Sequence, residues 1–155
     1  MIKHIKCDIF ESGADVICHQ VNCQGVMGSG IAKQVREKYP EVFAYYKKVC
    51  DEWTTKFGSN SLLGGIQVLP ITSGWIINLF AQDKFGYDGK CYTDYDSLRR
   101  CLEKAKDEFP NKTIAIPYLM GCHRGGGDWN VVYKMIEEVF VDSDCDVLIC
   151  EYNGG

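Results

Sequence analysis

The chain has 155 residues, 46% hydrophobic and 25% charged, with 17 Lys and Arg against 21 Asp and Glu for a formal net charge of −4. A chain of this length buries roughly two-thirds of its unfolded surface, so residues 1–155 are expected to form one domain without disulfide or metal support. The composition excludes a disordered or fibrous protein, and the charge balance argues against broad electrostatic capture of nucleic acid.

No apolar run approaches the roughly 18 residues of a membrane span, and Met1 to Lys6 has no leader-like apolar stretch, so a cytoplasmic protein without membrane contact is expected. The nine cysteines are odd in number and irregularly spaced, and several sit in apolar runs such as Val16-Ile17-Cys18. They read as reduced, mostly buried thiols.

Short apolar clusters rich in β-branched residues predict six strands: Ile2 to Phe10, Asp15 to Val21, Gly65 to Ile71, Trp75 to Ala81, Thr113 to Tyr118 and Asp146 to Tyr152. Thr72-Ser73-Gly74 joins the third and fourth as a hairpin, and Pro70 assigns the third to a sheet edge. Helical spacing covers Ile31, Ala32, Val35 and Tyr39. After Pro40 it resumes at Val42, Tyr45, Tyr46, Val49 and Trp53. Thr93-Asp94-Tyr95-Asp96 opens a third helix with Leu98, Leu102, Ala105 and Phe109 inward. A fourth follows Asp128 with Val132, Met135, Ile136, Val139 and Phe140 inward. Lys56 to Gly64 and Lys84 to Tyr92 read as long loops. The alternation predicts a layered α/β fold on a mostly parallel sheet.

Two strand-to-helix crossings are rich in glycine. Gly25-Val26-Met27-Gly28-Ser29-Gly30 leaves the second strand, and Gly121-Cys122-His123-Arg124-Gly125-Gly126-Gly127 leaves the fifth. Such turns aim amide N–H groups at one point, and the following helix N-terminus adds partial positive charge, so a phosphate is held without Lys or Arg. Each loop alone is equally a plain tight turn. The pair, at the carboxyl ends of strands, points to a diphosphate gripped from both sides. A nicotinamide-dinucleotide fingerprint is not met, because Lys33 stands where its third glycine belongs, and no phosphate loop ending in Gly-Lys-Ser or Gly-Lys-Thr is present.

Over nearly its full length the chain resembles a macrodomain, the ADP-ribose-binding module. The carrying residues are Cys7-Asp8-Ile9, Val21-Asn22, Gly28-Ser29-Gly30-Ile31-Ala32, and Ile116-Pro117 leading to Gly121-Cys122 and Gly125-Gly126-Gly127-Asp128-Trp129. The branch it most resembles contains ADP-ribose 1″-phosphate phosphatases and terminal ADP-ribose glycohydrolases. The family's Asn-Ala-Ala-Asn stretch is reduced here to Val21-Asn22-Cys23-Gln24.

The resemblance implies a three-layer α/β/α fold on a six-stranded mixed sheet. It implies ADP-ribose or an ADP-ribosylated substrate as partner, no cofactor, and hydrolysis at the distal ribose, with a non-catalytic ADP-ribose reader as the alternative. It implies that Asp8, with Ile9 beside it, accepts from the adenine amine, that Tyr152 supported by Asn153 stacks on adenine, and that Asn22 contacts the distal ribose. Gly28, Ser29, Gly30 and Ile31 would bind one phosphate, and Gly121, Cys122, Gly125 and Gly126 the other.

For catalysis Asp128 is a candidate general base and equally a helix N-cap. Lys84 falls near the position of the glycohydrolase nucleophile and reads otherwise as a surface lysine. His123 and His19 are candidate proton shuttles or satisfied loop and core histidines. A zinc reading of Cys18, His19, Cys23, Cys122 and His123 fails for want of a Cys-x-x-Cys pair and because strand alternation separates neighbours.

Overall fold

In the computed structural model, which describes residues 1–152, strand pairing begins at Ile2 and the chain alternates strands with helices. The strands are β1 (Ile2–Lys6), β2 (Val16–Asn22), β3 (Ile66–Ile71), β4 (Gly74–Gln82), β5 (Thr113–Pro117) and β6 (Asp146–Glu151). The helices are α1 (Gly30–Lys38), α2 (Pro40–Phe57), α3 (Tyr95–Glu108) and α4 (Trp129–Phe140). The sheet order is β1-β6-β5-β2-β4-β3. All neighbours pair parallel except β3, which returns antiparallel on β4 with Pro70 opposite Trp75. Proline is tolerated there because β3 is an edge strand whose outer side needs no donor.

Period-two alternation divides the buried side chains between the two sheet faces. Ile17, Val21, Ile76, Phe80 and Cys150 pack with Val35 of α1 and with Val42, Tyr46 and Cys50 of α2. Val16, Cys18, Ile77, Leu79, Ile114, Ile116 and Ile149 pack with Leu98, Leu102 and Ala105 of α3 and Val132, Ile136 and Phe140 of α4. This is the three-layer α/β/α arrangement with a six-stranded mixed sheet. All nine cysteines are free, six of them buried in the two core clusters as small apolar fillers.

Several boundaries differ from the sequence reading. The first strand stops at Lys6, because Asp8 Oδ1 accepts from the Phe10 amide at 3.0 Å and turns Ile9–Glu11 into a 3-10 turn. The last strand ends at Glu151, one residue short of Tyr152. Helix α2 continues to Phe57, and the expected loop after it is partly a 3-10 turn over Ser59–Leu62. On α2 the inward stripe is Val42, Tyr46 and Cys50, whereas Tyr45 and Trp53 face solvent. At the start of α3, Asp94 is the cap through the Ser97 amide, and Thr93 is engaged elsewhere.

The β3–β4 hairpin leaves no room at Gly74, whose φ is 150° and where a Cβ would overlap the Asp15 carbonyl oxygen. That carbonyl also accepts from the Trp75 amide at 3.0 Å. Gly74→Ala is therefore expected to destabilise the protein by about 1–3 kcal/mol, seen as a lower urea midpoint with an unchanged slope.

Candidate active site

Both glycine crossings leave the carboxyl ends of parallel strands, β2 and β5, which are direct neighbours in the sheet. They meet at one cavity of about 470 Å³ whose walls include Ser29, Gly30 and Ile31 from the first loop and Gly121, His123, Arg124 and Gly125 from the second. A smaller cavity of about 100 Å³ adjoins it and shares Gln20, Ser29, Ala32, Gln82 and Arg124. The larger volume is within the usual range for a ligand site.

The first loop is braced from within by Asn22. Its Oδ1 accepts from the Gln24 amide at 2.9 Å and the Tyr46 hydroxyl at 2.8 Å, and its Nδ2 donates to the Val26 carbonyl at 2.8 Å. Asn22 thus fixes the loop's shape while also lining the smaller cavity, as Gly28 does. Ser29 is the N-cap of α1 but makes no side-chain capping bond. The first-turn amides of α1 therefore keep their donors for a ligand, with the helix dipole behind them.

The second loop is clamped against the segment before α3. The Tyr92 and Thr93 amides donate to the Gly125 carbonyl at 2.7 and 3.0 Å, and Thr93 Oγ1 donates to the Gly121 carbonyl at 2.7 Å. Glycine is required here by contact as well as by conformation. Gly126, at φ 70°, has no space for a Cβ beside the Lys90 carbonyl oxygen, and a Cβ on Gly121, at φ 77°, would lie 2.7 Å from Gln20 Oε1. Carbonyls pulled toward Thr93 leave the amides of Gly121, His123, Arg124 and Gly125 without an intramolecular acceptor among the described residues.

A family model described as Macro domain matches residues 18–136. The chain belongs to the macro domain family. A DNA ADP-ribosyl glycohydrolase of Mycobacterium tuberculosis is 29% identical over 164 residues, covering 100% of this chain but 43% of that protein, so this chain spans less than half of that relative's length. An ADP-ribose 1″-phosphate phosphatase of Neosartorya fischeri is 47% identical over 51 residues, covering 32% of this chain and 25% of that protein. The solved macrodomain of Mycobacterium tuberculosis DarG superposes with a TM-score of 0.79 at 27% identity, covering 97% of each chain.

In this macro domain Asp8, Ile9 and Tyr152 all line the larger cavity, on the side of the sheet end formed by β1 and β6. Asn153 lies outside the described residues. Two second-loop candidates turn away from the cleft. Cys122 packs partly buried toward the α3/α4 core, its thiol pushed up to about 11 by burial, with Asp128 and Cys91 adding to the shift. Gly126 forms the loop's rear contact with Lys90 and Cys91.

The catalytic candidates separate in the same way. Asp128 caps α4, accepting from the Asn130 amide at 2.9 Å, and lines neither cavity. Lys84 is exposed and also outside both walls, and its carbonyl accepts from Gln82 Nε2 at 2.9 Å. His123 stands exposed on the wall of the larger cavity. His19 lies in that wall as a buried residue, 1% exposed.

The geometry fixes the state of His19. Asn78 Nδ2 donates to Gln67 Oε1 at 3.0 Å, which turns Asn78 Oδ1 toward His19 Nε2 at 2.6 Å. Nε2 therefore carries the proton, and the buried Nδ1 keeps an unpartnered lone pair. Burial lowers the pKa of His19 to about 4, against an opposing contribution from the Asn78 hydrogen bond.

Sequence reasoning missed Gln20, Gln82, Phe85, Tyr87 and Arg124, which all line the smaller cavity. Arg124 sits inside the glycine loop already singled out, and its charge was the available signal. Gln82 ends a strand that is apolar apart from Asn78 and carries no motif, so nothing marked it. Among the described residues no group of three His, Cys, Asp or Glu side chains converges as metal ligands, and no helix is long and apolar enough to cross a membrane.

His19 gives a pH signature. Its pKa is about 4 in the fold against an ordinary value of 6.5, so the unfolded chain binds the extra proton between those limits. Stability is full above pH 6.5 and declines as the pH falls toward 4, by about 3 kcal/mol from this site. Urea denaturation across this range is expected to show the decline, and His19→Asn is expected to remove this part of the slope.

Proposed function

We propose that this macro domain binds ADP-ribose across the two glycine loops and hydrolyses a bond at the distal ribose, releasing ADP-ribose from a 1″-phosphate or from an ADP-ribosylated group. The observation that carries the reading is the convergence of two sets of free amides on one cavity between neighbouring parallel strands. A diphosphate in that cavity accepts from Gly30 and Ile31 on one side and from the Gly121 to Gly125 segment on the other. Adenine lies toward Asp8 and Tyr152, with the Asp8 carboxylate taking a hydrogen bond from the exocyclic amine. The distal ribose lies toward Asn22. The relatives named as a DNA ADP-ribosyl glycohydrolase and an ADP-ribose 1″-phosphate phosphatase support this substrate class.

The chemistry requires a group that takes a proton from water as its oxygen attacks C1″ of the distal ribose and the bond from C1″ to the leaving phosphate oxygen or base nitrogen breaks, the departing atom keeping the electron pair. His19 is the candidate for that role beside Asp128 and Lys84, because it belongs to the wall of the larger cavity, which they do not, and its buried Nδ1 has no protein partner. His123, exposed on the same wall, supplies a second titratable group at the mouth. The reader alternative draws on one observation, the commitment of Asp128 to capping α4.

Isothermal titration with ADP-ribose, combined with product analysis on ADP-ribose 1″-phosphate and on ADP-ribosylated DNA, tests the reading. Binding with release of ADP-ribose is expected, and binding without release would establish the reader. Asp8→Ala is expected to weaken ADP-ribose binding by about tenfold, the scale of one charge-assisted hydrogen bond. If His19 is the proton acceptor, His19→Ala lowers kcat by about 10²-fold or more, while Asp128→Ala costs about 1 kcal/mol of stability without a comparable loss of rate. The wild-type rate then stays flat from pH 8 to about 5 and falls as His19 protonates near 4.

A further inference from the structure

We propose that Arg124, held in place by Tyr87, makes the smaller cavity an anion subsite that selects substrates bearing a phosphomonoester on the distal ribose. The inference rests on the ADP-ribose reading and narrows it to one leaving-group chemistry.

Charge in the smaller cavity is one-sided. Its walls are amide, hydroxyl, aromatic and aliphatic groups, and Arg124 is the one ionised side chain among them, with no carboxylate. The larger cavity, by contrast, includes Asp8 and Glu151 in its walls. None of the ion pairs among the described residues involves Arg124, so its charge has no protein counterion.

The side-chain amides around it are already engaged. Gln20 Nε2 donates to Gln82 Oε1 and Thr93 Oγ1, Gln82 Nε2 donates to the Lys84 carbonyl, and Asn22 Nδ2 donates to the Val26 carbonyl. Each of these amide groups has at least one N–H committed within the protein, and Arg124 is the one charged side-chain donor left to meet an anion there, alongside the Ser29 hydroxyl and the loop amides.

Its position is set by a stack. The guanidinium carbon lies 4.3 Å from the centroid of the Tyr87 ring. Arg124 comes from the loop after β5 and Tyr87 from the loop after β4, so the stack bridges the two walls across the smaller cavity. A guanidinium on an aromatic face keeps its N–H edge free, and that edge matches two oxygens of a phosphate. A neutral leaving group such as a nucleobase gives this edge nothing comparable, and no carboxylate is present beside it to favour a cationic one. Arg124 is the specificity-determining residue here and Tyr87 a positioning residue.

The test is displacement of fluorescently labelled ADP-ribose by unlabelled ADP-ribose and by ADP-ribose 1″-phosphate, read in the first seconds after mixing. Wild-type protein is expected to prefer the 1″-phosphate by about 10–100-fold, and Arg124→Ala to bring the ratio to within about threefold of unity. Arg124→Lys should retain part of the preference. Tyr87→Ala should reduce it and Tyr87→Phe restore it, since the ring face and not the hydroxyl makes the stack. Arg124 and Tyr87 are both exposed, so these variants leave the core intact. Equal affinity of the wild type for the two ligands overturns the proposal while leaving the ADP-ribose reading in place. Equal weakening of both ligands by Arg124→Ala also overturns it, by assigning the guanidinium to the diphosphate. Failure of the labelled ADP-ribose itself to bind wild-type protein overturns the underlying reading, and this inference with it.

Discussion

Thr93 Oγ1 stands at the junction of three segments that would otherwise be free to separate. It donates to the Gly121 carbonyl and accepts from Gln20 Nε2, while its own amide and that of Tyr92 donate to the Gly125 carbonyl. Strand β2, the loop entering α3 and the loop entering α4 are joined at this one buried hydroxyl. Each bond contributes only about 1 kcal/mol net, but their effect is directional. Holding the carbonyls of the second glycine loop toward Thr93 turns its amides toward the cavity. Valine has the same shape and could not do this, since it would remove the hydroxyl bonds to the Gly121 carbonyl and from Gln20 Nε2, leaving the carbonyl only the Gly127 amide and Nε2 only Gln82 Oε1.

The sheet carries a second constraint of the same kind. On its α1/α2 face the apolar pairs Ile17 with Ile76 and Val21 with Phe80 flank a polar pair, His19 with Asn78, midway along β2 and β4. On the α1/α2 side, His19, Asn78 and Gln67 form a chain across three strands, and on the opposite side Gln20 pairs with Gln82. Two acceptors in these chains, His19 Nδ1 and Gln20 Oε1, have no protein partner. A buried unmatched acceptor costs about 1–3 kcal/mol, and apolar residues at these register positions would remove that cost. The fold tolerates the polar chains where each has a member in the cavity wall, His19 in one and Gln20 and Gln82 in the other, which is where local rules of stability give way to the needs of a site.

The periodicities carried most of the fold. The central strands, the β3–β4 hairpin with its edge proline, and the inward faces of α3 and α4 were legible because burial enforces a repeat of 2.0 or 3.6 residues. The end of β1 was not legible, because a single Asp8 bond to the Phe10 amide competes locally with strand pairing and leaves the apolar pattern unchanged. Tyr45 and Trp53 were misplaced on α2 because aromatic side chains at its solvent edge extend the apparent stripe. In the site, glycine spacing revealed both loops, but which side chains face the cleft depends on loop geometry that has no period. Asp128 and Lys84 line neither cavity, whereas Gln20, Gln82 and Tyr87 reach the smaller one from sequence contexts that carry no motif.

An acidic chain with an anion-binding cleft is physically consistent because the two properties act at different distances. The formal charge of −4 is spread over a surface where solution ions screen it beyond about 10 Å. Inside the cleft the relevant field comes from amide N–H groups and a helix N-terminus at hydrogen-bond range, and these carry no net charge to register in the composition. In the proposed reading affinity for a diphosphate is thus built into the backbone, where side-chain substitution hardly reaches it. The one full positive charge in the smaller cavity sits on an exposed stack between two loops, outside the buried framework. Under the proposed reading, a division of this kind allows the group recognised beyond the ribose to change with Arg124 and Tyr87, while the glycine loops and the hydroxyl that anchors the second of them stay as they are.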